Sequence, residues 1–182
     1  MIKSKAWGWD WDSSVAPWWE EPAAETYPLL TRWNKAGFKK LLDLGCGIGR
    51  HAIFFANNGF EVDVFDLSEE GVEKLKKLAQ EKKLPIKSSV GDMLSLPYKD
   101  NAFDCLVAYH VIYHSDDEGI KKVLSEIKRV LKKDGEAYIT FNSQNSDSFK
   151  AVDNKHITQN TIVKEKYYPD YTGAHYFVLV KR

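Results

Sequence analysis

An α/β fold, with an open parallel sheet and helices on both of its faces, is the fold class that the sequence predicts. Segments that suit strands alternate along the chain with segments whose apolar residues recur at helical spacing. A glycine-rich stretch, LLDLGCGIGR at residues 41–50, joins one such strand to a helix. Two further strand-like runs, at residues 161–168 and 175–180, surround a Pro-Asp pair and a glycine, which predicts a C-terminal antiparallel hairpin.

Chain length and charge limit the number of domains and the kinds of partner that we expect. The chain has 182 residues, of which 43% are hydrophobic, and this is enough to bury the core of a single domain. Lysine plus arginine and aspartate plus glutamate are balanced at 26 each, so a nucleic-acid partner is not expected. Two cysteines and the lack of an apolar run of about 20 residues predict a cytoplasmic protein that does not contact a membrane.

The N-terminal third contains a helix, a strand and a second helix. Residues 28–36 place Leu29, Leu30 and Trp33 on one helical face, and Gly37 ends that helix. The strand that begins at residue 41 leads into residues 45–49, named here the glycine turn, and the second helix spans residues 50–58.

The central elements repeat this order. The strand Glu61–Asp66 alternates polar and apolar residues, and Ser68 is predicted to cap the helix that follows. The strand Ile86–Val90 comes next, and residues 103–109 form an apolar run that is typical of a central strand.

One long helix and one strand complete the central part. The helix is predicted to be capped by Ser115 and ended by residues 132–135, and a strand at 136–141 follows. Strands that alternate with amphipathic helices indicate a parallel, Rossmann-like sheet with right-handed crossovers.

The glycine turn indicates which ligand the sheet binds. A dinucleotide fingerprint needs Gly or Ala where Arg50 stands, and the glycines here follow a Gly-x-Gly-x-Gly pattern instead. Asp43, just before the turn, would repel a pyrophosphate but attract an ammonium or sulfonium group. S-adenosylmethionine carries both of these cations.

Acidic residues at two neighbouring strand ends agree with this ligand. Asp66 follows the start of the glycine turn by about twenty residues, the spacing of a carboxylate that accepts both hydroxyls of a ribose. Asp92 is placed to accept a hydrogen bond from an adenine amino group, while Met93 offers apolar surface to the ring.

The N-terminal segment is rich in tryptophan, and two interpretations of it stay open. All six tryptophans lie at positions 7, 9, 11, 18, 19 and 33. They either pack over one edge of the sheet or form a lid that excludes water and grips a substrate, with Trp18 and Trp19 as the substrate contacts.

Three stretches resemble the class I S-adenosylmethionine-dependent methyltransferases, in particular the small-molecule branch related to ubiquinone/menaquinone-biosynthesis methyltransferases. Residues 41–68 are similar to the family's first motif with its second-strand acid, and residues 91–114, GDMLSLPYKDNAFDCLVAYHVIYH, to its adenine-contact segment and fourth strand. IKKVLSEIKRVLKKDGEAYIT, residues 120–140, is similar to the segment before its fifth strand. The resemblance covers residues 39–141. It implies a family member that is shortened at its C-terminal end.

The resemblance implies roles for individual residues. At the methionine moiety of the cofactor it places Asp43, Gly45, Cys46 and Gly47. At the ribose it places Asp66, and at the adenine it places Leu67, Asp92 and Met93. Tyr109 would contact the cofactor near its sulfonium. His110 is the candidate general base, and His114 is a weaker candidate that contacts the substrate or serves in packing. No metal site is expected.

The sequence therefore predicts a methyltransferase that moves a methyl group from S-adenosylmethionine to a small molecule. Two alternatives stay open, a non-catalytic S-adenosylmethionine-binding or partner subunit and a nicotinamide-dependent oxidoreductase. The single domain comprises an N-terminal lid segment at 1–37, a cofactor-binding core at 38–141 and a C-terminal loop and hairpin at 142–182. If the hairpin does not complete the sheet, its apolar edge favours a homodimer.

Overall fold

The structure is a computed structural model that describes residues 20–142, 168–169 and 175–182. A short 3₁₀-helix, Ile112–His114, precedes the last helix. The other elements, in chain order, are α1 (Thr26–Lys35), β1 (Lys40–Leu44), α2 (Arg50–Asn57), β2 (Glu61–Asp66), α3 (Glu69–Glu81), β3 (Ile86–Val90), β4 (Phe103–Ala108), α4 (Asp117–Val130), β5 (Leu131–Asn142), β6 (Tyr168–Pro169) and β7 (His175–Lys181).

Within the described residues, seven strands form one sheet in the order β3-β2-β1-β4-β5-β7-β6. The pairs from β3 through β5 are parallel, and β7 runs antiparallel to both β5 and β6. The predicted Rossmann-like sheet with a C-terminal antiparallel pair is therefore confirmed. Because the parallel strands share a direction, the carboxyl ends of β1, β2, β3 and β4 meet at one edge of the sheet, where a ligand site is expected.

Helices cover both faces of the sheet. Along β1, Leu42 packs in one buried cluster with residues of α4, while Leu41 packs in another with residues of α1, α2 and α3. Alternate residues of a strand point to opposite faces, so the two clusters lie on opposite sides. Trp33 and Phe55, both fully buried, anchor α1 and α2 in the second cluster.

A buried carboxylate holds α1 against the sheet. Glu136 of β5 is 6% exposed and accepts hydrogen bonds from Arg32 at 2.7 and 2.6 Å and from the indole nitrogen of Trp33 at 2.9 Å. Helix α1 begins at Thr26, two residues before the predicted start. Pro28 lies in its first turn, where backbone N–H groups have no intrahelical acceptor, so the lack of an N–H in proline costs no hydrogen bond there.

Two predictions about α4 were wrong. Asp116, not Ser115, is the N-cap, since its carboxylate accepts from the Gly119 amide at 2.7 Å. The helix ends at Val130, and residues 132–135 belong to β5, where the register against β4 shifts. Asp134 takes a φ of 65° in this irregular stretch, so the polar residues that suggested a helix end form a bulge.

The C-terminal strands agree with the hairpin prediction. The short strand β6 pairs with β7, and β7 pairs with β5, so the edge of β5 is covered by this chain. The predicted homodimer and the three-segment division of the domain stay predictions. Residues 161–167 of the predicted first hairpin strand, and Trp18 and Trp19, lie outside the described residues.

Candidate functional site

The glycine turn connects β1 to α2 at the carboxyl edge of the sheet, and its conformation requires glycine. Gly45 and Gly49 have φ values of 73° and 86°, which side-chain-bearing residues adopt at a cost. A Cβ on Gly45 would lie 2.3 Å from Val111, and one on Gly49 would lie 2.2 Å from Leu75. The turn is therefore packed closely against the loop after β4 and against α3.

Asp66, at the end of β2, holds the glycine turn and α3 together. Its Oδ2 accepts from the Gly47 amide at 2.8 Å, and its Oδ1 accepts from the Ser68 amide at 2.8 Å. Ser68 caps α3 as predicted, because its hydroxyl accepts from the Gly71 amide at 3.1 Å. The contact of Asp66 with the turn was missed by sequence reasoning, since it depends on how β1 and β2 pair.

Asp43 is 1% exposed, and its Oδ2 accepts from the backbone amide of Ala52 at 3.0 Å. It thereby satisfies an N–H in the first turn of α2, whose N-cap, Gly49, has no side chain to do so. The pKa of Asp43 is raised to about 7, chiefly by burial and also by the charge of Asp66, while the hydrogen bond from Ala52 and the charge of Arg50 act in the opposite direction. The carboxyl group is therefore poised to titrate near neutral pH.

Cys46 contributes its backbone to the glycine turn, while its side chain is buried in the core. It is 9% exposed and packs in the cluster that contains α1, α2 and α3. Burial raises the pKa of its thiol well above the usual value, so it stays protonated. The prediction that Cys46 binds a cofactor is therefore restricted to its main chain.

The end of β3 lies beside Asp66. The Gly91 amide donates to the Asp66 carbonyl at 2.9 Å, and Asp92, the next residue, accepts from the Leu94 amide at 2.9 Å. Met93 is 6% exposed and Leu67 is half-buried. The structure thus brings the two acids at the ends of β2 and β3 together, as the sequence predicted.

Six rings surround the end of β4, and together they are named here the aromatic cluster. Tyr109 stacks on His110 with ring centroids 4.2 Å apart, and it also contacts His51 at 4.9 Å. The other contacts join Tyr109 to Tyr138 at 6.5 Å, His110 to Tyr113 at 6.1 Å and Tyr113 to His114 at 4.8 Å. The predicted residues Tyr109, His110 and His114 therefore belong to one continuous group of rings.

Backbone geometry singles out His110 within the aromatic cluster. Its φ is 55°, an uncommon value for a residue with a side chain, and its amide donates to the hydroxyl of Thr140 at 2.5 Å. Thr140 is fully buried in β5. The neighbouring strand therefore fixes the backbone of the candidate base.

Sequence reasoning missed Arg50 and His51 as site residues. The signal that could have found them is their position in the first turn of the helix after the glycine turn, which opens at the carboxyl edge of the sheet. Burial, aided by the charge of Arg50, lowers the pKa of His51 to about 3, so this imidazole is neutral. Its Nε2 accepts from the Ala23 amide at 3.4 Å, which brings the segment before α1 to this edge.

A cavity of about 420 Å³ lies away from the glycine turn. Apolar residues line most of it, and the lining comprises Leu124, Ile127, Lys128, Leu131, Ile139, Phe141, Val178, Val180, Lys181 and Arg182. These residues belong to α4, β5, β7 and the residue after β7, so the cavity is separate from the predicted site. Among the described residues, no three His, Cys, Asp or Glu side chains are grouped to hold a metal ion.

In the part of the chain that the structure describes, no helix combines the length and the apolar character that crossing a bilayer requires.

Comparisons with known proteins agree on one family. A family model described as a methyltransferase domain matches residues 41–135. The uncharacterized methyltransferase YcgJ of Bacillus subtilis is 34% identical over 97 residues, which cover 53% of this chain and 38% of that protein. Norajmaline N-methyltransferase of Rauvolfia serpentina is 37% identical over 95 residues, covering 50% of this chain and 32% of that protein.

A solved structure shares the fold. The crystal structure of the PH0226 protein from Pyrococcus horikoshii superimposes with a TM-score of 0.60 at 32% identity, covering 64% of this chain and 55% of that chain. The chain thus spans only part of the length of each relative. Because the family model matches just over half of the chain and includes the glycine turn, Asp66 and Asp92, the protein belongs to the class I S-adenosylmethionine-dependent methyltransferases.

Proposed function

We propose that this protein binds S-adenosylmethionine at the glycine turn and transfers its methyl group to a small-molecule acceptor by in-line displacement. The observation that carries the proposal is Asp66, whose carboxylate is fixed against the Gly47 amide at 2.8 Å. The carboxylate stands at the end of β2, beside the turn and beside Asp92, which is the arrangement that an adenosine needs.

The geometry of Asp66 suits a ribose. Each carboxylate oxygen has two lone pairs, and the hydrogen bonds from Gly47 and Ser68 use one on each oxygen. One lone pair per oxygen is left for the two ribose hydroxyls. Because backbone amides already orient the carboxylate, little conformational freedom is lost when those hydroxyls bind.

The other residues that we propose to contact the cofactor lie along the same edge of the sheet. Asp43, Gly45 and Gly47 are proposed at the amino-acid end, with the main chain of Cys46, while Leu67, Asp92 and Met93 are proposed around the adenine. When bound, the cofactor supplies a methyl group made electrophilic by its sulfonium. The protein aligns acceptor, methyl carbon and sulfur, and positioning of this kind can supply much of the rate enhancement.

The aromatic cluster is proposed as the acceptor side. Tyr109, which follows β4 directly, is proposed to contact the cofactor near its sulfonium, at the border of the acceptor side. His110, whose backbone is fixed by Thr140, is proposed to take a proton from the acceptor. His114 is proposed as a second substrate contact, together with Trp18 and Trp19. A small-molecule acceptor is supported by the similarity to norajmaline N-methyltransferase. The assignment to the ubiquinone/menaquinone branch stays a prediction, which the relatives named above do not test.

Calorimetry with S-adenosylhomocysteine, the product form of the cofactor, tests the binding site. Asp66→Ala should weaken binding about 100-fold, because two hydrogen bonds to a charged group are lost at about 1.5 kcal/mol each. Asp63→Ala, an acid of the same strand, is the control and should leave the affinity unchanged. Unchanged binding by the Asp66 variant would contradict the ribose assignment.

A second experiment separates catalysis from the non-catalytic alternative. The protein is incubated with S-adenosylmethionine carrying a labelled methyl group and with a mixture of small amines, phenols and thiols. Label recovered in an acceptor supports the proposed function. Tight binding of S-adenosylhomocysteine without any labelled product across this panel favours the non-catalytic binding subunit, and a ligand-induced stabilisation by NAD alone would favour the oxidoreductase.

A further inference from the structure

The chain between β3 and β4 carries two of the residues that we propose to contact the adenine. It spans residues 91–102 and is named here the adenine-side loop. Asp92 and Met93 lie in a turn at its start, where the Asp92 carbonyl accepts from the Ser95 amide at 3.0 Å. Leu96 follows this turn directly and is buried. The position of the proposed adenine contacts therefore depends on how Leu96 is held.

Two side chains of α4, Glu126 and Arg129, hold Leu96 through its backbone. Glu126 is buried, and its Oε2 accepts from the Leu96 amide at 2.8 Å. Nη2 of Arg129 donates to the Leu96 carbonyl at 3.0 Å. Buried backbone N–H and C=O groups need hydrogen-bond partners, and here the side chains of a helix supply both of them.

The guanidinium of Arg129 uses all of its N–H groups. Nε and Nη2 donate to the two carboxylate oxygens of Glu126 at 2.9 and 2.8 Å. Nη1 donates to the Tyr98 carbonyl at 2.7 Å and to the Asp100 carboxylate at 2.9 Å. Together with the bond to Leu96, these are five hydrogen bonds for the five donors of an arginine. Arg129 therefore joins α4 to three positions of the adenine-side loop.

These contacts differ from an ordinary ion pair on a protein surface. An exposed ion pair contributes little to stability, because water solvates both charges. Here the carboxylate of Glu126 is buried, and hydrogen bonds from Arg129 hold its pKa below the usual range, so it stays ionised at neutral pH. Two further acceptors are the backbone carbonyls of Leu96 and Tyr98. Arg129 thus fixes the path of the main chain and not only the position of one side chain.

We propose that Arg129 is a positioning residue for adenine recognition, which acts through Glu126 and the backbone of the adenine-side loop to keep Asp92 and Met93 where the ring binds. The inference rests on the proposed function and extends it to a residue of α4 that is not itself assigned a contact with the cofactor. A hydrogen bond from the adenine amino group to Asp92 depends on distance and angle. A loop that is already ordered also loses less conformational freedom when the ligand binds. Loss of the Arg129 contacts should therefore weaken the recognition of adenine in particular.

Two ligands that differ only in the base test this inference. S-adenosylhomocysteine carries adenine, whereas in S-inosylhomocysteine a carbonyl oxygen replaces the amino group and cannot donate to Asp92. Calorimetry gives both affinities, and their ratio measures adenine recognition. The wild-type protein should favour the adenine ligand about tenfold, the contribution of one hydrogen bond to a charged group. Arg129→Gln should reduce this preference to about threefold, because a loosely held loop forms that hydrogen bond at roughly half its free energy.

A matched control is available on the other face of the sheet. Arg32 of α1 also binds a buried carboxylate through two nitrogens, but that carboxylate belongs to Glu136 of β5. Arg32→Gln therefore removes a comparable pair, and it should lower the melting temperature without changing the affinity ratio. Arg129→Lys keeps the charge but has a single nitrogen, so its ratio should lie between those of the wild-type protein and Arg129→Gln. Melting temperatures without ligand show which variants are folded, and Arg129→Lys decides the test if Arg129→Gln is not.

Every other result contradicts a stated claim. A ratio that stays at the wild-type value in the folded Arg129 variants would mean that Arg129 only stabilises the fold, and this overturns the inference. An equal fall of the ratio in Arg32→Gln overturns it as well, because general loosening would then explain the effect. If the wild-type protein binds both ligands equally, the inference fails while the cofactor site stands. Binding of neither ligand contradicts the proposed function itself.

Discussion

The glycine turn and the aromatic cluster share one edge of the sheet, but different interactions hold them in place. Carboxylates hold the glycine turn and the start of the next helix through backbone amides: Asp66 accepts from Gly47 of the turn, and Asp43 accepts from Ala52 of α2. Ring contacts between 4.2 and 6.5 Å hold the aromatic cluster, together with the hydrogen bond of the His110 amide to Thr140. Hydrogen bonds are directional, whereas ring pairs tolerate several arrangements.

The two regions should therefore differ in their sensitivity to amino-acid substitutions. The turn depends on backbone conformation, so substitutions that alter allowed φ values or crowd the turn should have the largest effects. In the aromatic cluster a lost ring removes one contact among several, and the main-chain fold should survive it. The glycine turn meets the loop that carries the aromatic cluster where Gly45 lies close to Val111.

The largest expected effect is at Gly49. Its φ is 86°, and an added methyl group would overlap Leu75, so Gly49→Ala should lower the free energy of unfolding by about 3 kcal/mol. Gly59 has a φ of 87°, but nothing lies within 4 Å of an added Cβ, so Gly59→Ala should cost only about 1 kcal/mol. Urea unfolding measures both values. Equal costs would mean that packing against α3 contributes nothing.

Local sequence signals predicted much of the fold and the meeting of two acidic strand ends at one edge of the sheet. The strands Glu61–Asp66 and Ile86–Val90 have their predicted bounds, because alternation and neighbouring turn residues are local features. Asp66 and Asp92 were found because strand ends in a parallel sheet meet at one edge.

Features that depend on the assembled sheet could not be predicted. The ring of Tyr138 reaches Tyr109 from another strand, and His51 reaches it from a helix, so only the strand order brings them together. The bulge at residues 132–135 has the composition that is also typical of a helix end, because polar residues and glycine are common in both structures. Ser115 and Asp116 are both good caps, and only the observed geometry decides between them.

An intermediate effect is expected at His110, and it tests whether the aromatic cluster stores strain. Glycine adopts a φ of 55° readily, whereas alanine does not, so His110→Gly should be about 1 kcal/mol more stable than His110→Ala. Both variants lack the ring, which makes them matched controls for each other in thermal and urea unfolding. Affinity for S-adenosylhomocysteine should stay close to that of the wild-type protein in both. A loss as large as that expected for Asp66→Ala would erase the distinction between the two regions.

The smallest change in ligand affinity expected at the glycine turn is a pH dependence. The pKa of Asp43 is raised to about 7 in the folded protein, above about 3.9 in an unfolded chain. The folded state therefore retains a proton that the unfolded state has lost, and this contribution to stability is complete below about pH 4 and lost as the pH rises through 7. Ligand binding should show the opposite sign, because a cationic ligand favours the ionised carboxylate.

Affinity for S-adenosylmethionine should accordingly rise by up to about ninefold between pH 6 and pH 8, as the ionised fraction of Asp43 increases from about 0.1 to about 0.9. Three neighbouring groups do not titrate in this window: Arg50 stays charged, the pKa of the Cys46 thiol lies well above the window, and the pKa of His51, at about 3, lies below it. Asp43→Asn keeps an oxygen that can accept from Ala52, and it should flatten both the affinity and the stability profiles. His110→Gly, on the aromatic side, should leave the slope intact. An affinity that falls from pH 6 to pH 8 in the wild-type protein would show that Asp43 serves only to anchor α2, and the two regions would then differ in packing but not in charge.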